Sequence, residues 1–262
     1  MGKRERLDRL LVERQLVASR EEGRGKILAG EVLVDDRPVT KAGTLVATGA
    51  AIRFRSTPLP YASRGGFKLE KALREFQVNV AGKTALDVGA STGGFTDCLL
   101  IHGAARVFAV DVGYGQLAWK LRNDNRVIIF EKTNIRYLEL SALPLAADLA
   151  TIDVSFISLK LILSQVKTLL IPSGEIIALI KPQFEVGKGK VGKGGVVRSH
   201  EEHVRVIDEI KTAAKQLGFT VLGVTESPLL GPKGNKEFLM HLRKTEVPIV
   251  PVKKSHRELL TP

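Results

Sequence analysis

The sequence has little of what secreted and membrane-spanning proteins need. Its single cysteine, Cys98, cannot form an internal disulfide, which is typical of a reducing cytoplasm. No uncharged run approaches the roughly 18 residues that span a bilayer. Residues 1–6 lack the apolar core of a signal peptide, and Arg6 stands where a myristoylation signal has Ser or Thr. We therefore expect a cytoplasmic protein without a membrane segment.

Acidic residues are scarce relative to basic ones. The 262 residues include 28 Asp and Glu against 40 Lys and Arg, a net charge of +12. Residues 1–80 carry 16 basic and 10 acidic side chains, so under a third of the chain holds half of the excess. This charge balance favours a polyanionic binding partner, with nucleic acid first and an anionic membrane surface second. A basic surface kept for solubility would give the same net charge.

The N-terminal part predicts two helices that end before a proline-containing linker at residues 55–60. Apolar residues at helical spacing begin at Leu7. Ser19 and Glu22 have the spacing of a capping box, so a second helix starts there, and Gly30 is placed to end it.

The residues after the second predicted helix alternate as in a β-hairpin. Val32 and Val34 alternate with other residues, residues 35–36 make a turn, and Val39 starts the return strand. With a further strand-like run at residues 51–54, this predicts a small α+β domain over residues 1–58. We expect a second domain over residues 59–245 and a mobile tail over residues 246–262.

The first domain resembles the small RNA-binding domain named after ribosomal protein S-four. The resemblance rests on nine positions: Arg6-Leu7-Asp8, Ser19-Arg20, Ile27, Gly30, Val32 and Val34. Gly23 departs from it, because that family usually has alanine there. The resemblance implies that basic side chains of the helix pair, the hairpin and the start of the next domain face folded RNA; these are Arg6, Arg20, Lys26, Arg37 and Arg64.

From residue 83 onward, short apolar runs alternate with helical stretches. Strand–helix spacing of this kind predicts βαβ units and a mainly parallel sheet covered on both faces. The last two runs are joined without room for a crossover helix, so they should pair antiparallel. The runs span residues 84–88, 106–110, 127–130, 148–152, 175–180, 219–225 and 237–242.

The turn after the first of these runs is rich in glycine. Gly89, Gly93 and Gly94 would let a ligand approach the backbone and the following helix N-terminus. Ser91 occupies the middle glycine position of the dinucleotide fingerprint, and Asp111 ends the next strand, where it can accept ribose hydroxyls. These features predict a nucleoside-type cofactor but do not separate adenosylmethionine from a dinucleotide.

Four residues resolve that choice by resemblance. Lys68, Asp153, Lys181 and Glu237 stand in the order of the Lys–Asp–Lys–Glu tetrad of FtsJ-like ribose methyltransferases. Behind the first domain, they make the whole chain resemble the TlyA family of ribosomal RNA 2′-O-methyltransferases, for which haemolysin names are also expected.

The resemblance implies a fold, an activity and a cofactor. The fold is a Rossmann-like α/β sheet of seven strands, mostly parallel with the last strand antiparallel. The activity is S-adenosylmethionine-dependent methylation of a ribose 2′-hydroxyl, with cytidine the expected nucleotide, in ribosomal RNA or ribosomal subunits. The implied cofactor-binding residues are Asp87, Gly89, Ser91, Gly93, Gly94, Phe95, Asp111, Asn134 and Asp153.

The tetrad's residue types suit removal of a proton from a weakly acidic hydroxyl. A lysine can act as a base only when burial or a neighbouring cation lowers its pKa. Lys181 is the candidate base and Lys68 the second cation, with Asp153 and Glu237 orienting the ammonium groups. In the alternative, both lysines act electrostatically and stabilise the developing alkoxide.

Other candidate features of the sequence give weaker indications of function. The basic run at residues 187–195 could close over RNA phosphates or be a solvated loop. His200 and His203 miss the spacing of a zinc helix and are expected at the surface, so no metal site is predicted, and Cys98 is expected in the core. Two alternative functions stay open: an assembly factor that binds RNA through a vestigial methyltransferase domain, and a membrane-lytic haemolysin.

Overall fold

The computed structural model describes residues 3–55, 60–187, 191–192 and 194–245. The predicted domain boundary at residue 58 and the predicted tail from residue 246 lie outside these ranges. So do the three lysines of the predicted basic loop at residues 187–195.

The N-terminal unit is two helices packed on short strands. Ser19 Oγ accepts a hydrogen bond from the Glu22 amide at 3.1 Å, and Gly30 ends the second helix with a left-handed φ of +76°. Both predicted helix boundaries are confirmed. The elements are β1 (Arg4–Arg6), α1 (Leu7–Glu13), α2 (Arg20–Ala29), β2 (Val32–Val34), β3 (Arg37–Pro38), β4 (Leu45–Ala47) and β5 (Ile52–Phe54).

The predicted start of the return strand at Val39 is wrong. Asp35 and Asp36 both have positive φ, and this tight two-residue turn pairs Arg37 directly with Val34. The return strand therefore begins two residues earlier than predicted and ends before Val39. On its other edge β2 pairs with β5, as the strand-like run at residues 51–54 implied.

Gly23 has a packing role in the N-terminal unit. A Cβ at this position would lie 3.3 Å from Val17 Cγ2 and 3.4 Å from Leu11 Cδ1. Both neighbours belong to the unit's buried apolar cluster. The glycine thus lets α2 approach α1 closely, which offsets its low helix propensity.

The C-terminal unit is a seven-stranded sheet in the order β8-β7-β6-β9-β10-β12-β11, in which only β12 is reversed. The predicted parallel sheet and its antiparallel last pair are confirmed. Its elements are α3 (Gly65–Glu75), β6 (Thr84–Val88), α4 (Gly94–Ile101), β7 (Arg106–Val110), α5 (Trp119–Arg122), β8 (Val127–Phe130), β9 (Ala147–Ile152), α6 (Leu163–Thr168), β10 (Leu170–Ile180), α7 (Pro182–Glu185), α8 (His200–Gln216), β11 (Phe219–Glu226) and β12 (Phe238–Lys244).

Helices cover both faces of this sheet. One apolar cluster includes side chains of α3 and α4, and the other includes side chains of α6 and α8. Cys98 is buried in the first cluster, as predicted. Among the described residues, no helix combines the length and apolar character needed to cross a membrane.

The sheet brings the four tetrad positions to one edge. Asp153 follows β9 and Lys181 follows β10, so both lie at the carboxyl ends of parallel strands. Because β12 runs the other way, with Phe238 opposite Ile180, its first residues lie at the same edge. Glu237 immediately precedes β12 rather than opening it.

Candidate active site

Two buried ion pairs form the centre of the site. Lys181 Nζ lies 2.6 Å from Asp153 Oδ1 and donates a hydrogen bond to Ser155 Oγ at 3.0 Å. Lys68 Nζ, in the first turns of α3, lies 2.6 Å from Glu237 Oε2. Glu237 is 1% exposed and Lys181 8%. Each ammonium group therefore has a carboxylate partner in a largely dry environment, where such pairing keeps a charge tolerable.

The two ion pairs act on one another. Burial alone would raise the pKa of Asp153, but the charges of Lys181 and Lys68 together hold it below its usual range. Asp153 thus feels both lysines, and the four predicted catalytic residues form one cluster. This is the arrangement that the sequence order of the tetrad predicted.

The glycine turn after β6 abuts this cluster. Gly89 has a φ of +86°, and a Cβ there would lie 2.5 Å from the carbonyl oxygen of Asp153. The Asp153 amide in turn donates to the carbonyl of Val88 at 2.9 Å. Only glycine allows this close approach, because a side chain would have to displace backbone. The turn and the backbone of Asp153 are consequently fixed against each other.

The N-terminus of α4 opens from the same turn. Gly93, its cap residue, has a φ of +95° and no side chain with which to cap the helix, while the Thr96 amide further into the first turn is directed at the Asp87 carboxylate. Uncapped amides at a helix N-terminus are suited to an anionic group. Phe95, predicted to bind cofactor, has its side chain in the core, so only its backbone faces the turn.

Asp87 lies beneath the turn rather than on its surface. Its carboxylate is fully buried and accepts hydrogen bonds from Thr96 Oγ1 at 2.7 Å and Thr151 Oγ1 at 2.9 Å. Burial raises its pKa to about 6. This side chain ties the turn to α4 and β9, so the structure places it as a support for a ligand site.

Asp111 organises the loop after β7. Its two carboxylate oxygens accept hydrogen bonds from the amides of Ser91, at 2.8 Å, and Gly113, at 2.7 Å. This brings two predicted cofactor residues from different turns together. The next side chain, Val112, is 70% exposed and offers an apolar surface beside the carboxylate.

Asn134 lines a cavity of about 400 Å³ together with Lys132 and Tyr137. Its side-chain oxygen accepts a hydrogen bond from the Arg136 amide at 3.1 Å and caps a short 3₁₀ helix. The side chain therefore has a local structural role, whatever it contributes to a ligand.

Comparisons with known proteins place this arrangement in a family. The FtsJ-like methyltransferase family model matches residues 61–244, and the S4 domain model matches residues 5–52. The chain belongs to the FtsJ-like methyltransferase family. It joins an S4 domain to a methyltransferase domain, as the sequence resemblance implied.

Relatives at high identity extend over most of the chain. The 16S/23S rRNA (cytidine-2′-O)-methyltransferase TlyA of Mycobacterium tuberculosis is 46% identical over 244 residues, which cover 93% of this chain and 91% of that protein. Hemolysin A of Brachyspira hyodysenteriae is 40% identical over 237 residues, covering 90% and 98%. A solved structure from Streptococcus thermophilus that carries a hemolysin name is 42% identical, with a TM-score of 0.74, covering 96% of this chain and 93% of that chain. The predicted resemblance to the TlyA family is confirmed.

The S4 domain holds two of its predicted RNA-facing arginines on one carboxylate. Arg6 binds Asp8 through two hydrogen bonds of 2.9 Å, and Arg20 binds Asp8 Oδ2 at 2.8 Å. The hydrogen bond from Arg6, with help from Arg20, outweighs burial and holds the pKa of Asp8 far below its usual range. Asp8 is buried while both arginines stay partly exposed, so it presents them outward as a pair.

The other predicted RNA-facing residues lie apart from this pair. Lys26 is 3.6 Å from Glu31 and stands over the Phe54 ring at 5.3 Å. Arg37 is exposed in the short return strand. Arg64 lies just before α3, and its side-chain stem is adjacent to Gly30, where a Cβ would be 3.0 Å from Arg64 Cδ. Arg64 thus links the methyltransferase domain to the end of the second S4-domain helix.

The predicted surface position of His203 is wrong. His203 is buried, its Nε2 donates to the Val197 carbonyl at 3.0 Å, and its ring packs edge-on against Phe238. The helical spacing of positions 203, 206 and 210 carries the missing signal, because Val206 and Ile210 form the buried stripe of α8.

Two polar side chains near the tetrad carry no sequence motif. Ser155 belongs to no motif of the sequence, yet its hydroxyl contacts Lys181. Asn235 is 2% exposed and joins two loops at the edge of the site. Both contacts connect residues far apart in sequence, which periodicity and local spacing do not reveal.

Proposed function

We propose that this protein methylates the ribose 2′-hydroxyl of a cytidine in ribosomal RNA, with S-adenosylmethionine as donor, in the cytoplasm where ribosomes are found. The single observation that carries the proposal is the pair of ion pairs, Lys181–Asp153 and Lys68–Glu237, directly beside the glycine turn. The name of the TlyA relative supports the nucleotide and the RNA class.

The residues around the glycine turn fit this cofactor. The uncapped N-terminus of α4 suits its carboxylate, and Asp111 keeps lone pairs free for ribose hydroxyls, with Val112 beside it as an apolar surface. S-adenosylmethionine supplies, when bound, a methyl group on a positively charged sulfur. Methylation would convert the ribose hydroxyl to a methyl ether and release its proton.

The tetrad would lower the energy of the deprotonated hydroxyl. Asp153 and Ser155 occupy two of the hydrogen-bonding directions of Lys181, which leaves a third for the acceptor oxygen. Lys68, held by Glu237, adds a second positive charge to the same cluster. The ion pairs favour the electrostatic role, in which both lysines stabilise negative charge on that oxygen in a site with little water.

The test is methyl incorporation into ribosomal RNA by a Lys181→Ala variant. We expect the rate to fall by a factor of about 10² to 10⁴, because a positioned acid–base or electrostatic group contributes about that much. Lys160→Ala is the matched control, since Lys160 is paired with Glu209 at 2.6 Å on the surface. Thermal unfolding of both variants checks that the fold persists.

Different outcomes separate the candidate functions. Full activity of Lys181→Ala would contradict the assignment of the tetrad. Binding of S-adenosylmethionine without methylation of any ribosomal RNA, free or assembled in subunits, would favour the RNA-binding assembly factor. Lysis of erythrocytes by the purified protein would favour the haemolysin.

A further inference from the structure

Two loops border the tetrad on the side of the sheet formed by β10 and β12. One connection leaves β10 at Lys181, contains α7, and enters α8 through residues 194–199. The other leaves β11 at Glu226 and enters β12 directly after Glu237. Each loop therefore has a tetrad residue at one of its ends.

Asn235 connects these loops with its whole side chain. Its Oδ1 accepts a hydrogen bond from the Val197 amide at 3.0 Å. Its Nδ2 donates to the carbonyls of Gly195, at 3.0 Å, and Pro232, at 3.0 Å. Both amide protons and the amide oxygen of Asn235 are thus hydrogen-bonded, although the residue is only 2% exposed. Polar groups buried this deeply are costly to leave without partners.

The first loop is itself anchored at the residues to which Asn235 is hydrogen-bonded. Val197 is buried, and its carbonyl accepts the hydrogen bond from His203 of α8. Lys233 Nζ donates to the Gly194 carbonyl at 2.6 Å. The loop between β10 and α8 is therefore a fixed support rather than a free segment at this point.

The second loop transmits this support to Glu237. The Gly231 amide donates to the Asn235 carbonyl at 2.8 Å, and the Glu237 carbonyl accepts from the Ser227 amide at 2.8 Å. A Cβ at Gly231 would overlap the carboxylate of Glu237, so this backbone packs directly on the catalytic side chain. A displacement of the Asn235 turn would move Gly231 and release Glu237 from its place against Lys68.

We propose that Asn235 is a positioning residue for methyl transfer: it joins the β10–α8 loop to the β11–β12 loop and thereby holds Glu237 against Lys68. The inference rests on the proposed function, since it assigns to Glu237 a part in the reaction. The proposal does not require Asn235 to contact RNA or cofactor. The effect of Asn235 on the reaction passes entirely through Glu237.

The test compares Asn235→Ala, Glu237→Gln and the double variant on ribosomal RNA at saturating substrate. We expect Asn235→Ala to lower kcat by about tenfold to a hundredfold, because small misplacements in an active site have effects of this size. Its Kd for S-adenosylmethionine should stay within about twofold, since the glycine turn is untouched. The double variant should have the kcat of Glu237→Gln alone, because residues that act as a unit are not additive.

Controls separate positioning from general stability. Lys236→Ala removes an exposed neighbour that is paired with Glu226, and it should retain kcat. Asn235→Asp keeps the shape of the side chain but turns an oxygen toward the carbonyls of Gly195 and Pro232. It should reproduce the loss of kcat and serves as the second variant if Asn235→Ala does not fold at the assay temperature.

Each outcome decides the matter. Wild-type kcat in a folded Asn235 variant, or losses that multiply in the double variant, would overturn the positioning role while leaving the proposed function intact. Wild-type kcat in Glu237→Gln would overturn both the positioning role and the tetrad assignment. A Kd for S-adenosylmethionine that weakens in step with kcat would assign Asn235 a general structural role instead.

Discussion

At the residue scale, the charged side chains of this protein act in ion pairs, and the pairs differ in whether one or both partners are buried. Asp8 is fully buried and holds two partly exposed arginines, whereas Lys68 and Glu237 are both largely buried. The first arrangement presents positive charge to solvent, and the second retains it inside the candidate site. The same ion-pair chemistry would thus serve the proposed RNA binding in one domain and the proposed catalysis in the other.

The depressed pKa of Asp8 predicts acid sensitivity of the S4 domain. A carboxyl whose pKa is lower in the folded protein stabilises the fold above its unfolded pKa, and the contribution is lost as pH falls through the folded one. We therefore expect the free energy of unfolding to decline from about pH 4 downward, since an unfolded aspartate titrates at about 3.9. Urea unfolding at about five pH values between pH 2 and pH 7 measures this free energy of unfolding.

Asp8→Asn should remove this part of the pH dependence. We expect the variant to lose about 1.5–3 kcal/mol at neutral pH, the typical range for a hydrogen bond to a charged group. Asp208→Asn is the control, because Asp208 is exposed and pairs with Lys211 at the surface. An unchanged acid slope in Asp8→Asn would contradict the assignment.

At the element scale, the turn between β6 and α4 depends on backbone that only glycine provides. Gly89 combines a φ of +86° with a Cβ position 2.5 Å from the Asp153 carbonyl oxygen. Gly82 has a similar φ of +74° but no atom within 4 Å of its Cβ position. An alanine at position 82 would therefore meet only the energetic cost of a left-handed conformation. An alanine at position 89 would meet that cost and also a clash with the Asp153 backbone.

Gly89→Ala should therefore destabilise the fold more than Gly82→Ala and should abolish binding of S-adenosylmethionine. We expect Gly82→Ala to lose about 1 kcal/mol from the left-handed conformation alone and to bind normally. Gly89→Ala adds the displacement of the Asp153 backbone. Thermal unfolding and calorimetric titration measure the two effects, and equal behaviour of the two variants would show that the close approach does not matter.

The sequence predicted most of the sheet, whereas the catalytic role of the tetrad stays a prediction. Strands β6, β7 and β8 match their predicted bounds, because short, mainly apolar runs between polar segments mark strands well. The start of β3 was predicted wrongly because it depends on the positive φ of Asp35 and Asp36. The surface position of His203 was predicted wrongly because its burial depends on which face of α8 it occupies. The roles of Ser155 and Asn235 depend on contacts across 26 and 38 residues, which no local pattern contains.

At the scale of the whole molecule, the excess of basic residues agrees with a protein that binds RNA through two domains. Half of the +12 charge lies in residues 1–80, which span the S4 domain and α3. The methyltransferase domain uses two of its lysines in the tetrad. Charge that contacts phosphates should make RNA binding depend steeply on salt, while the buried ion pairs should respond much less.

Arg37→Ala is expected to weaken RNA binding and to reduce its salt dependence. A lost phosphate contact lowers the slope of log K against log salt concentration by about 1. Arg126→Ala is the control, because Arg126 is paired with Asp124 at the sheet edge opposite the tetrad. Filter binding to ribosomal RNA over a salt series measures both slopes, and equal slopes for Arg37→Ala and the unaltered protein would remove Arg37 from the RNA-binding face.

We propose that the two ion pairs at the edge of the sheet catalyse methylation of a ribose in ribosomal RNA. Mapping 2′-O-methyl groups on ribosomal RNA from cells with the protein, without it, and with Lys181→Ala in its place tests this directly. We expect a methylated cytidine that is present with the unaltered protein and absent in the other two cases. Identical maps in all three would contradict it.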